Sequence, residues 1–230
     1  MTLPIGIVAC SAEGAALCYR TIVHEGAQRL GRYAHPEIAF HSISFAEYQQ
    51  AIDRDDWPAV GALMLRSAHR LAQAGAAFLI CPDNTIHQAM SCVEPQSPLP
   101  WLHIARVVAD EAASRGFHRI GLLGTRWLVR SNVYPDALRA RGLDFLRPAD
   151  ADREAINRVI MDELVCGRFT PEGTAVHQQV IGRLKEQGCD AVVLGCTEIP
   201  LIIGDANSPL PTLDSTRLLA RAALHSALAG

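Results

Sequence analysis

At 230 residues, 49% hydrophobic and 20% charged, the chain has enough apolar content for a sizeable core and is too apolar for a disordered segment. Its net charge of −3 and scattered arginines exclude the basic footprint of a nucleic-acid binder and point to a small-molecule partner. The seven cysteines are odd in number, lack CxxC spacing and sit mostly in apolar runs, which reads as reduced thiols of a cytoplasmic protein rather than a disulfide framework.

Taken in chain order, short apolar runs alternate with helical patterns, the signature of βαβ units around buried parallel sheets. Residues 5–9 (IGIVA), 38–42, 77–80 and 101–104 read as one set of strands. A second set follows at 120–124 (IGLLG), 143–146, 191–194 and 212–213. Helices fill the gaps, several ending at Gly31, Gly75, Gly116, Gly142 and Gly188, where glycine accepts a left-handed cap. The opening MTLPIGIVAC lacks the basic region of a signal peptide, and no apolar stretch approaches the roughly 18 residues of a membrane span. A soluble cytoplasmic protein with no membrane partner is expected.

The two sets are copies. Adding 115 carries IGIVA at Ile5 onto IGLLG at Ile120, and adding 113 carries Arg70, Leu71 and Gly75 onto Arg183, Leu184 and Gly188. The tetrapeptide SPLP occurs at Ser97 and again at Ser208. Matches in one order at nearly constant offset argue for an internal duplication. The expected fold is therefore α/β with two pseudo-symmetric lobes, each a parallel sheet flanked by helices. Lobe one is expected to span 1–103 and 210–230, and lobe two 104–209. Open α/β sheets bind ligands at the C-terminal ends of their strands, so an active site is expected in a cleft between the lobes.

Laying GAAFLICPDNT (Gly75 to Thr85) over GCDAVVLGCTE (Gly188 to Glu198) without a gap places Cys81 on the core residue Leu194. It also places Asp83 on Cys196 and Asn84 on Thr197. Asp83 and Cys196 are thus the paired tips, and Cys81 reads as a buried thiol.

The pieces IGI, NTIH after the first tip and LGCTEIPL after the second resemble the aspartate/glutamate racemase superfamily over nearly the whole chain. Glutamate rather than histidine after Cys-Thr is similar to its aspartate racemase branch. The resemblance implies a cofactor-independent isomerase acting at the α-carbon of an amino acid, and a homodimer. Family members place a cysteine before each Thr-bearing tip. This chain has Cys196 at the second and Asp83 at the first. In the shorter first loop, Ser11 carries over as a substrate contact.

Moving a proton at a carbon next to a carboxylate needs a base, an acid and donors for the carboxylate charge. Asp83 and Cys196 supply the acid/base groups, with Asn84, Thr85, Thr125, Thr197 and Glu198 as the pocket. Helix N-termini after the tips would favour thiolate at Cys196. Asp83 is open to two other roles, an ammonium ligand or a helix cap. Arg126 and Arg130 are candidates for a distal carboxylate of an acidic substrate. His87 and His103 lie near strand ends, where a structural role is the simpler reading. Neither GxGxxG, a P-loop nor metal-ligand histidine spacing occurs, and the single lysine, Lys185, sits in a charged helical segment unsuited to a Schiff base. No cofactor and no metal are expected. A one-thiol decarboxylase of the same superfamily, or a binding relative without turnover, is the competing reading.

Overall fold

The computed structural model describes residues 2–229, and the chain divides into one unit of residues 1–104 with 219–230 and another of residues 105–218. In the first unit β1 (Ile5–Ala9) leads through α1 (Ala12–Leu30) to β2 (Ile38–Ser42), and α2 (Phe45–Asp53) and α3 (Trp57–Gln73) lead to β3 (Phe78–Ile80). A helical run over residues 85–96, containing α4 (Met90–Val93), then precedes β4 (Trp101–Leu102). The chain continues through α5 (Ile104–Ser114) to β5 (Arg119–Leu123), α6 (Arg126–Arg130), α7 (Val133–Arg139) and β6 (Asp144–Leu146). Next come α8 (Asp150–Asp162), α9 (Pro171–Glu186), β7 (Ala191–Leu194), β8 (Thr212–Asp214) and α10 (Ser215–Ala229).

The two sheets have the same design. Both are four-stranded and parallel, in the orders β2-β1-β3-β4 and β6-β5-β7-β8. Of their central strands, β1, β3 and β7 are apolar and buried at every residue and β5 is so from Ile120 on, as parallel strands covered on both faces require. The likeness of the two sheets extends to single contacts. Ile5 pairs with Phe78 as Ile120 pairs with Ala191. The Ala77 N–H donates to the Pro4 carbonyl at 2.9 Å, and the Asp190 N–H to the Arg119 carbonyl at 3.0 Å. A Cβ on Gly6 would meet Leu71 Cβ at 3.3 Å, and one on Gly121 would meet Leu184 Cδ1 at 2.9 Å, so the repeated glycine makes room for the repeated leucine. In both SPLP turns the serine hydroxyl donates to the carbonyl two residues on, at 2.7 Å.

Two expectations shift. The lobe bounds assigned 210–230 to lobe one, although 212–213 read as the last strand of the second set; β8 pairs with β7, and residues up to Leu218 group with the second unit. Likewise the strand expected over 101–104 stops at Leu102, because Ile104 opens α5. Other strand ends differ by one residue at most. All five capping glycines hold positive φ, from 70° to 106°. Among the described residues no helix is long and apolar enough to cross a membrane.

The second unit buries a histidine in its core. His177 on α9 is fully buried, with Nδ1–H donating to the Gly173 carbonyl at 2.9 Å, and Nε2 has no partner among the described residues. Burial is the main force holding its pKa below 6.5, with the Gly173 bond and the nearby Glu163 charge pulling the other way. The fold therefore prefers the neutral ring. The stability this contributes is complete above the unfolded pKa and is lost as pH falls from there toward the lowered folded pKa. We expect the urea midpoint to drop between pH 7.5 and 5, one proton contributing at most about 1.4 kcal/mol per pH unit. In His177→Leu the slope should flatten, and an unchanged slope would remove His177 as its source.

Candidate functional site

The site residues follow strand ends, where parallel strands run out of partners and the chain must turn. In the second unit β5 and β7 are neighbours, Leu123 opposite Leu194, so Thr125 and Cys196 leave adjacent tips. Gly195 makes this approach possible. Its N–H donates to the Leu123 carbonyl at 3.0 Å, and a Cβ there would sit 2.4 Å from that same oxygen. Gly195→Ala should destabilise the protein by about 1–3 kcal/mol or more, as overpacking does, measured as a urea midpoint. A wild-type midpoint would mean the tip relaxes freely.

Cys196, Thr197 and Glu198 are buried together, the last two at 2% exposure. The Cys196 thiol donates to Glu198 Oε2 at 3.0 Å, and the Thr197 hydroxyl donates to the same oxygen at 3.2 Å. Glu198 Oε1 is buried with no hydrogen-bond partner among the described residues. A buried carboxylate with one oxygen taken by a thiol and the other unmatched is costly unless it serves something. The helix expected to support Cys196 is a single 3₁₀ turn, Ile199–Leu201, too short to build an appreciable dipole. The partner of the thiol is therefore a carboxylate rather than a helix end. Spacing alone hid this, because the contact depends on the helical turn at Glu198, with φ −89° and ψ −25°.

In the first unit β1 and β3 are neighbours, Ile7 opposite Ile80, so Ser11 and Asp83 likewise leave adjacent tips. Ser11 is buried at the start of α1, and Asn84 and Thr85 are buried beside Asp83. Asp83 is partly exposed, and its Oδ1 accepts the Ile86 N–H at 3.1 Å, a capping bond. Cys81 is fully buried, and burial first, then the Asp83 charge, pushes its thiol pKa well above 9.0, which makes it inert near neutral pH.

Thr125 caps α6, its hydroxyl accepting the Leu128 N–H at 3.2 Å. The Arg126 N–H donates to Oδ1 of the buried Asn157 of α8 at 2.9 Å, a contact that the sequence did not suggest. The guanidinium of Arg126 lies 5.1 Å from the Trp127 ring centre. Arg126 and Arg130 both reach Glu154, at 3.6 and 3.5 Å. All three side chains are half exposed, so these ion pairs contribute little stability and can exchange partners. His87 and His103 stack edge to face with ring centres 4.6 Å apart.

A crystal structure of a candidate Asp/Glu racemase from Yersinia pestis is 32% identical to this chain, covers 98% of it and 99% of the other, and superposes with a TM-score of 0.89. An aspartate racemase homologue from Pyrococcus horikoshii is 27% identical over 99% of this chain and 100% of the other, with a TM-score of 0.84. The broad specificity amino-acid racemase RacX of Bacillus subtilis is 22% identical over 85% of this chain and 83% of its own length. Residues 6–223 match the Asp/Glu/Hydantoin racemase family, so the chain belongs to that family.

Proposed function

We propose that the protein is a cofactor-independent racemase or epimerase of a small acidic amino acid, with Asp83 and Cys196 exchanging protons with opposite faces of the α-carbon. The observation that carries this reading is the Cys196–Glu198 hydrogen bond. Transfer of one proton along it turns S–H···⁻O into S⁻···H–O at constant net charge, so the sulfur is available as an acid in the first form and as a base in the second, and the pair loses or gains one proton when it acts on the substrate. In one direction the Asp83 carboxylate takes the α-proton while the thiol delivers its own to the other face. In the reverse direction the thiolate takes the α-proton and protonated Asp83 returns one.

Ser11, Asn84, Thr85, Thr125 and Thr197 are small polar side chains suited to hold the α-carboxylate, whose charge grows as the carbanion forms. The acidic substrate class follows from Arg126 and Arg130, which already share one carboxylate, Glu154. A substrate side chain would replace it. A Schiff-base route lacks its amine, since the only lysine, Lys185, is exposed on α9.

The test is α-deuterium wash-in followed by NMR, with single enantiomers of amino acids and malonates in D₂O. Wash-in with inversion, strongest for aspartate or glutamate, is expected. Carbon dioxide release from a malonate would replace this reading with a one-thiol decarboxylase, and silence across the panel with a binding protein.

A further inference from the structure

His87 is 2% exposed and bonded through both ring nitrogens. Nδ1 lies 2.6 Å from the backbone carbonyl oxygen of Asp83, and Nε2 lies 3.3 Å from the backbone nitrogen of Ile104, the first residue of α5. A carbonyl oxygen only accepts, and an amide N–H only donates. Of the three forms of imidazole, one meets both demands: the neutral ring with its hydrogen on Nδ1. The imidazolium would set Nε2–H against the Ile104 N–H. The other neutral tautomer would do the same, and would also turn a lone pair toward the Asp83 carbonyl. The edge-to-face contact with His103, at an interplanar angle of 70°, further restricts rotation of the ring.

Asp83 is thereby held twice from the segment that follows it, its Oδ1 by the Ile86 N–H and its carbonyl by His87. We propose that His87 is a positioning residue for Asp83, its Nδ1–H fixing the backbone turn that presents the carboxylate and its Nε2 anchoring that turn to the start of α5. The consequence for turnover rests on the racemase reading above, whereas the consequence for Asp83 itself does not. A proton-transfer group must be held to a fraction of an ångström, and a misplacement near 1 Å costs on the order of 100-fold in rate.

The experiment has two arms. In the first, ¹⁵N-labelled histidine in the wild-type protein at neutral pH should show His87 as the neutral Nδ1–H tautomer. The Nε2–H tautomer or an imidazolium would overturn the proposal. The second arm compares His87→Asn, whose amide nitrogen can reach the Asp83 carbonyl, with His87→Leu, which cannot donate. His87→Leu should lower kcat on the order of 10- to 100-fold with KM little changed, and should move the Asp83 carboxyl ¹³C resonance. His87→Asn should stay nearer wild type in both. Should His87→Leu fail to fold, the tautomer and the His87→Asn spectrum decide. A folded His87→Leu with unaltered kcat and an unmoved Asp83 resonance would overturn the proposal. If the wild-type protein racemises nothing, the proposed function fails, while the tautomer and the Asp83 resonance still settle the role of His87.

Discussion

Cys196→Ala should abolish measurable racemisation, a loss of at least the roughly 10²- to 10⁴-fold that accompanies removal of a general acid/base group. The thiol is hydrogen-bonded to a carboxylate that can accept its proton, and it is far more acidic than the Thr197 hydroxyl that shares that oxygen. Alanine also leaves the buried Glu198 Oε2 with the Thr197 hydroxyl but without the thiol, so some stability is lost, and circular dichroism with a urea titration must accompany the assay. Glu198→Gln separates the two effects. It keeps the shape and an oxygen acceptor for the thiol but cannot take its proton, so racemisation should fall in both directions and α-proton exchange should fall most for the enantiomer whose proton faces Cys196. The internal control is Cys81→Ala. Cys81 is fully buried and its thiol resists ionisation, so this variant should keep a large part of the activity. Equal inactivation of folded Cys81→Ala and Cys196→Ala would mean that the wrong residue has been placed at the first tip.

Much of the fold was legible because parallel strands covered on both faces leave an unambiguous record. The buried runs at Ile5–Ala9 and Ala191–Leu194 were read with their observed ends, as was the more exposed edge strand Ile38–Ser42. The repeat offsets also foretold two similar parallel sheets, and the structure gives both the same strand order. Errors fell where local pattern and tertiary context disagree. Trp-Leu-His-Ile looks like four alternating strand residues, but the Ile104 N–H is taken by His87 Nε2 and the chain has already begun to coil. Residues 212–213 were read in the second set of strands, as β8 beside β7 bears out, but the lobe boundary was drawn at 210, ahead of them, because nothing in the local sequence marks where the chain returns to the first unit.

The site was legible as a list of residue types and much less so as contacts. The duplication identified which residues occupy the strand tips. It could not reveal that Glu198 turns back onto the thiol, that Asn157 from a distant helix holds the Arg126 N–H, or that Glu154 occupies both arginines. Each of these contacts depends on a backbone turn or on a pairing between elements far apart in the chain, and neither leaves a periodic trace.

Asp83→Asn should lower racemisation in both directions together by roughly 10²- to 10⁴-fold while leaving the fold intact. The structure sharpens this expectation, because the Asp83 Oδ1 that caps the Ile86 N–H has an equivalent in asparagine, and the backbone carbonyl bonded to His87 is unaltered. What asparagine removes is the charge and the ability to accept a proton. Asp83→Ala removes the cap as well, at a cost of about 0.5–2 kcal/mol, so the two variants separate capping from chemistry. If capping were the whole role, Asp83→Asn would be nearly as active as wild type and only Asp83→Ala would suffer. If Asp83 is the second acid/base group, both variants lose turnover and only Asp83→Ala loses stability. α-Proton exchange adds a second axis. Cys196 can still remove and return a proton on its own face, so one enantiomer should keep exchanging with D₂O without inverting, and the other should stop. Asp83→Cys places a thiol at both tips and should recover part of the racemisation that Asp83→Asn loses. Full activity of Asp83→Asn in both directions would leave Cys196 as the sole proton carrier.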